Sequence, residues 1–471
     1  MNPLIQLKTT PLLLITLALL CLGFLSRVQA VVPPPDGGYP NFNTAEGQNA
    51  LMNLTTGAGN TGVGFSSLFT GTTASLNTGV GAGTLFFNTG DQNTATGAGA
   101  LLNNTTGNNN TASGVLALFD NTTGGSNTAT GFGALGNNTI GIENTANGAN
   151  ALLSNTTGNG NTASGSDALT ANTTGNANTA IGGAVLSSNT TGNSNTAIGA
   201  AVLANNTTGN ENTATGLNAL ATNTEGGGNT ANGRTALANN TTGNNNTAIG
   251  LQALLLNSTG SNNTAVGLNA LEFNTIGGGN TALGQGAGVN VSTANNVICI
   301  GANGENVDNT CYIGQIFGQT SSGGTAVFIN SNGRLGTATS SRRFKEEIRP
   351  MERASEALFA LKPVTFRYKK GIDPAGIPQF GLVAEDVEAA NPDLVVCDRE
   401  GKPYSVRYEQ VNAMLLNEFL REHRKVEQMQ KQIDALAAGL QRVSAQLAAA
   451  SPSDGGLDLN KRAPQIAVTN R

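Results

Sequence analysis

The chain has 471 residues, of which 63 are glycine and only 11% are charged, and it carries a formal net charge of −5. Between Arg27 and Arg334 the one basic residue is Arg234, so that stretch lacks the electrostatic footprint of a nucleic-acid binder. His423 is the only histidine and the four cysteines have no regular spacing, which excludes a His/Cys zinc site and a disulfide framework.

Residues 1–30 read as a secretory signal peptide. Lys8 lies in the basic region, Pro11 to Leu25 is apolar, and Val28-Gln29-Ala30 fits a small-residue cleavage site. An apolar stretch of about 15 residues is short for a membrane span. The mature chain is therefore expected outside the cell or at its surface, with no integral membrane anchor. It would keep Cys299, Cys311 and Cys397, either with a Cys299–Cys311 bridge or with the thiols buried as small apolar groups. Residues 31–42 form a linker.

Residues 43–288 are a repeat. Asn-Thr pairs begin at Asn43, Asn60 and Asn77 and then recur every 17 residues from Asn93 to Asn280; only the step from Asn77 to Asn93 is one residue short. Counting from each Asn, offset +4 is glycine in every copy, and offset +8 is leucine from Leu51 to Leu271, giving way to Gly288 in the last. A fixed short period means one supersecondary unit stacked on copies of itself. Seventeen residues accommodate two or three short strands with tight corners, whereas helical repeats need roughly 33 or more. The Ala-Leu pairs would suit a helical solenoid, but a glycine in every turn argues against it.

The reading is a β-solenoid or β-roll. The Leu column and the small column before it (Ala100, Ala117, Val185, Ala253) would fill a thin core, and equivalent asparagines would hydrogen-bond up and down the stack. Asn-Thr-Thr-Gly, as at Asn104 to Gly107, supplies a corner. The many Asn-x-Thr triplets are read as this corner chemistry and not as glycosylation sites. Calcium-binding β-rolls need an aspartate in each repeat; acids such as Asp91 and Glu143 are sporadic here, so no metal is expected. No cofactor is expected either. The pattern resembles the heads of trimeric autotransporter adhesins, whose repeats also place an Asn–small–Gly strand at a fixed, usually shorter, period.

Residues 289–338 read as a cap or neck. They hold variant strands at Asn296 to Gly301 and Asn309 to Gly314, and a hairpin from Phe328 to Leu335 turning at Asn332-Gly333. From Arg342 on, charge is dense and glycine sparse, which marks a domain boundary near residue 338.

The block at 339–425 carries Ser340 to Ile348 (SSRRFKEEI), Leu361 to Tyr368 (LKPVTFRY), Phe380 to Val387 (FGLVAEDV), Pro392 and Tyr408 in that order. This order resembles the intramolecular chaperone auto-processing domain at the C-termini of phage tail spikes and endosialidases. The resemblance implies a small α+β domain that trimerises, helps a β-rich fibre to fold, and then releases itself through a serine–lysine pair. Here these are Ser340 as nucleophile and Lys345 as base, cutting the Thr339–Ser340 bond. Ser341 stands where the family commonly has aspartate. Chemically, a serine hydroxyl needs a base to take its proton, and a lysine serves only when its amine is neutral. Burial, or the neighbouring Arg342 and Arg343, would favour that form.

Residues 410–447 read as helical. Val426, Ile433, Leu440 and Leu447 lie seven apart with Met429, Leu436 and Val443 between them, the a and d positions of a coiled coil at 426–448. Residues 449–471 read as a disordered tail.

The sequence thus points to a mainly β, exported homotrimeric fibre: a solenoid shaft, a small self-cleaving chaperone domain and a C-terminal coiled coil. No activity on external substrates is expected, and the regular polar shaft suits a surface or glycan ligand. The alternatives are a phage-type tail fibre, which would need no secretory signal, and a non-cleaving trimerisation clamp on a surface-binding solenoid. An ice-binding variant would need an unbroken Thr-Thr corner column, which Ile140, Glu225 and Ile276 interrupt.

Overall fold

The computed structural model describes residues 39–450, so the expected signal peptide, the linker before Tyr39 and the tail from residue 451 lie outside the described residues. The chain divides into two compact units, one running to Thr320 and one from Ser321.

The first unit is a parallel β-solenoid. Each Asn is followed by a three-residue strand, from β1 (Thr44–Glu46) to β15 (Thr281–Leu283), and the stack continues into β16 (Ile298–Ile300) and β17 (Cys311–Ile313). The result is a 17-stranded sheet in which successive coils pair in register, Thr on Thr and Ala on Ala, as in Thr196↔Thr213 and Ala197↔Ala214. At about 4.8 Å per strand this unit is ~77 Å long. The 16-residue coil from Asn77 keeps that register (Thr78↔Thr94), because its missing residue falls in the outer Asn-Thr corner.

Each coil has one strand, where the period allowed two or three. The remaining residues stack as turns, because left-handed residues alternate with right-handed ones and keep the chain from extending. Their amides are still satisfied between coils. Leu101, Asn103 and Thr105 donate forward to the carbonyls of Ala117, Phe119 and Thr122, while Gly97 and Gly99 donate back to Val80 and Ala82.

The left-handed positions include the core leucine. From Leu51 to Leu271 its φ lies near +50°, for example 52° at Leu152 and 49° at Leu203. That conformation costs an L-residue about 1–2 kcal/mol, and burying a leucine returns roughly 1.5–3 kcal/mol. Leucine fits because it is long enough to fill the core and unbranched at Cβ. In the last copy the same position is Gly288, with φ 71°, where a Cβ would press on Leu271. The core itself is three side chains per coil, such as Ala197, Val202 and Leu203, all fully buried.

From the coil of Asn77 to that of Asn263 two asparagines per coil are also buried, and both form ladders. The Oδ1 of Asn161, at offset 0, accepts from the backbone N–H and the Nδ2 of Asn178, at 3.0 and 3.2 Å; its own Nδ2 donates to Asn144 Oδ1 and Gly175 O. At offset +11, Asn172 Nδ2 donates to Asn155 Oδ1 at 2.9 Å and to the same Gly175 carbonyl. Glycine is required at Gly175, because a Cβ there would stand 2.4 Å from both Asn172 Oδ1 and Gly192 O. The corner asparagines are thus sealed inside, which accords with reading these triplets as structural. Among the described residues, the one buried side-chain polar atom without a partner is Asn269 Oδ1.

Cys299 is buried and Cys311 exposed, and neither is bridged. Strand pairing sets Cys299 opposite Tyr312 and Cys311 opposite Ile298, so the two thiols take opposite faces of the sheet. Burial, then the neighbouring Cys311, pushes the Cys299 thiol up.

The second unit begins with the expected hairpin, β18 (Val327–Ile329) and β19 (Leu335–Thr337), turned at Gly333 with Asn330 Oδ1 accepting from the N–H groups of Asn332 and Arg334. Two further antiparallel pairs follow: β20 (Val364–Phe366) with β21 (Gln379–Gly381), and β22 (Val395–Cys397) with β23 (Pro403–Val406). Between them lies helix α1 (Ala384–Ala390), and helix α2 (Tyr408–Ala450) closes the described chain. The fully buried core here is small: Val387, Leu394, Val395, Val406, Val411 and Met414.

Two outcomes follow for the shaft. Leu203→Ile keeps every atom but places a branched Cβ at a left-handed φ, so it should destabilise by about 1–2 kcal/mol more than Leu203→Met in denaturant unfolding. Asn161→Ala strips partners from Asn178 and Gly175 and should cost about 3 kcal/mol. Asn176→Ala, in the half-buried outer corner, should cost about 1 kcal/mol or less. Equal losses at Asn161 and Asn176 would mean that the inner ladder does not hold the coils.

Candidate active site

Thr339 and Ser340 lie in irregular chain just after β19, and both are exposed. The chain then makes a single 3-10 turn, Arg342–Phe344, closed by Phe344 N–H to Ser341 O at 3.0 Å and Lys345 N–H to Arg342 O at 3.1 Å. Ser341 and Lys345 are extended on either side of it. Arg343 stacks its guanidinium on the Phe344 ring at 4.6 Å. Ser341 occupies the turn's N-cap, and its hydroxyl makes no capping bond.

Ser340 and Lys345 therefore flank one short turn, and both are open to solvent. No hydrogen bond joins them in the single chain. Burial of the kind that a lysine base requires is not supplied by one chain alone.

A polar cluster that sequence reasoning did not identify lies farther along the chain. Downstream of the turn, the helical turn Ala354–Ala360 packs on α2. Ser355 is fully buried and donates to Glu418 Oε1 at 2.5 Å, while Asn417 Nδ2 donates to Ser355 Oγ at 2.6 Å and to Glu352 O at 2.8 Å. Arg421 bridges Glu418 at 2.7 Å and Glu356 at 3.0 Å, and Arg353 adds a bond to Glu356 at 2.9 Å. Accepting from Ser355 holds the Glu418 carboxyl below its ordinary range; Arg353, then Arg421, does the same for Glu356. Both pKa values are depressed on folding, so the stability they add is present above the ordinary carboxylate range and is lost as pH falls through the depressed values. The members are some 60 residues apart in sequence. The local traces of the cluster are two i, i+3 pairs, Arg353–Glu356 and Glu418–Arg421.

Beside this clamp runs an apolar groove lined by Leu361, Pro363, Phe380, Leu382, Tyr408 and Leu415. The Tyr408 hydroxyl crosses it to accept from Leu382 N–H at 3.0 Å. Further along α2, the residues at the expected a and d positions, Val426, Met429, Ile433, Leu436, Leu440 and Val443, are all exposed. Among the described residues, no helix is long and apolar enough to cross a membrane.

No curated protein and no solved structure matches the chain. The family match begins at the serine of the Ser340–Lys345 turn: residues 340–396 fit the family described as the chaperone of endosialidase, so the chain carries a segment of that family behind its β-solenoid.

Proposed function

We propose that the chain is an exported trimeric fibre protein whose C-terminal domain brings three chains together, assists the shaft to fold, and then cuts itself off before Ser340. The observation that carries this reading is the joining of a parallel β-solenoid to a chaperone-of-endosialidase segment, which fits a tail-fibre-like trimeric protein. The small core of the second unit supports it, as does the apolar a/d stripe that α2 leaves uncovered, since both leave surface for other copies to bury. Export rests on residues 1–30, and a surface or glycan remains the ligand class that a regular polar shaft fits.

In the proposed reaction the Ser340 hydroxyl adds to the Thr339 carbonyl while Lys345 takes its proton. The Thr339–Ser340 amide then breaks as the Ser340 nitrogen leaves with the proton that Lys345 returns, which leaves Thr339 joined to the Ser340 oxygen as an ester. Water hydrolyses this ester, so that Thr339 ends in a carboxylate and Ser340 regains its hydroxyl and carries the new N-terminus. Because both groups are exposed in one chain, the neutral lysine that this step needs would arise on assembly, when a neighbouring chain covers the turn. The same exposure favours a second reading, in which the domain is a permanent trimerisation clamp that never cuts.

Intact mass separates the two readings. Wild type should give two pieces, the smaller running from Ser340 to Arg471, and Ser340→Ala and Lys345→Ala should each leave the chain whole but assembled. Ser341→Ala should cut nearly as wild type. An uncut wild type selects the clamp, and light scattering that finds single chains at micromolar concentration removes both readings.

A further inference from the structure

From the coil of Asn178 onward, one edge of the solenoid is apolar where its corner face is polar. Offset +3 is the outward-facing end of each strand, and offset +5 lies just past the glycine that follows it. From the coil of Asn178 to the last strand, every coil but that of Asn229 puts a large aliphatic residue at one of these two offsets. Ile181, Ile198, Leu217, Ile249, Leu251 and Leu283 stand in this line, each 40–50% exposed. The line continues through Ile300 and Ile313 in β16 and β17. The corner face at offsets +12 to +16 is, in the same coils, mostly Asn, Thr and Gly. The other place where apolar groups gather, offsets +9 and +10, lapses in the middle coils to Ser187, Ala204, Ala221 and Ala238.

We infer that this edge is the surface along which the shafts of three copies of the chain pack in parallel register. This rests on the trimer reading above and adds which face is shared. Three observations select a second copy as the occupant. The side chains repeat at the strand pitch of about 4.8 Å over nine strands, a periodicity that a globular partner lacks and an identical stack reproduces. Closed rotational symmetry sets each residue at the same height in every copy, so the aliphatic coils meet aliphatic coils, and the polar coil of Asn232 and Arg234 meets its own equivalent. Arg234 is the one charged side chain along the line from Asn178 onward, so apart from that coil, where three equal charges would face one another, closing the edge desolvates no charge. The exposed aliphatic area is on the order of 600–800 Å², at or above the largest patch a typical monomer exposes and about one partner's share of a standard interface.

Crosslinking through introduced cysteines tests the face. In full-length protein with Cys21 and the exposed Cys311 and Cys397 changed to Ser, Ile249→Cys places a thiol on the edge, and Thr242→Cys places one on the exposed corner face at the other end of the preceding coil. Diamide takes two electrons and two protons from a pair of thiols and leaves a disulfide. Thiols held together at about millimolar effective concentration should link roughly a thousandfold faster than thiols meeting in micromolar solution. The expected result is a two-chain band from Ile249→Cys, with the third thiol of each trimer left free, and none from Thr242→Cys on that timescale. Equal linking at both sites, linking at Thr242→Cys alone, or none at either in a protein that scatters light as a trimer would overturn the assignment and leave the trimer standing. Single chains by scattering would remove the trimer reading, and this inference with it.

Discussion

Everything in the shaft depends on the paired asparagine ladders. A coil that buries only two small residues and one leucine has too little apolar surface to hold 17 residues in place, and it also buries two primary amides per turn. Those amides are tolerable only because each one is completed by the coil above and the coil below. An Asn at offset 0 bonds the next coil's backbone and side chain at once, and it meets the Asn at offset +11 on one shared glycine carbonyl. Hydrogen bonds aligned in this way reinforce one another in a dry interior. The same arrangement explains the invariance at offset +4: a Cβ on Gly165 would stand 2.3 Å from the Gly182 carbonyl oxygen of the next coil, so the backbones approach too closely for any side chain.

A ladder has to stop without leaving amides bare. At the C-terminal end of the stack, Val291 takes the offset +11 place and Val297 the offset 0 place, so nothing beyond Asn274 and Asn280 demands a further partner. The Val297 N–H still closes on Asn280 Oδ1 at 2.8 Å. Beyond it the coils shorten, Cys299 and Tyr312 replace alanine in the core line, and Asn306 accepts three backbone N–H groups from Ser292, Thr293 and Ala294 as a local plug.

Much of this could be read from the chain itself. The 17-residue period, the inward leucine, the stacked asparagines and the Asn332-Gly333 hairpin each follow from a local chemical rule that the sequence states directly. The single strand per coil did not follow, because nothing in a leucine announces that it will sit at a left-handed φ; the stack imposes that, and only burial and the inter-coil bonds offset it. The clamp of Ser355, Asn417, Glu418 and Arg421 was equally hidden, since its halves come together only when α2 folds back on the turn Ala354–Ala360. For the Ser340–Lys345 pair the sequence supplies residue types and spacing. The chemistry would depend on what covers them, and a single chain does not contain that information.

Near-identical coils carry a hazard that bears on why a shaft like this should be joined to a chaperone-of-endosialidase segment. Contacts in a solenoid run only between neighbours, so a slip of one whole coil preserves almost every local bond. Thr still meets Thr, Ala meets Ala and Asn meets Asn. With three such chains close together, a coil could also pair with its equivalent in another chain at equal local cost. Register must then be set by what differs between coils: the 16-residue coil at Asn77, the stacked Phe69–Phe86 pair beside it, and the shortened coil before β17. These marks lie near the two ends, and the coils between them are almost interchangeable. On the trimer reading, a C-terminal domain that joins three chains at equivalent residues fixes their mutual register before the coils close. Its work is finished once the ladders are in place, because each coil is then held by both of its neighbours.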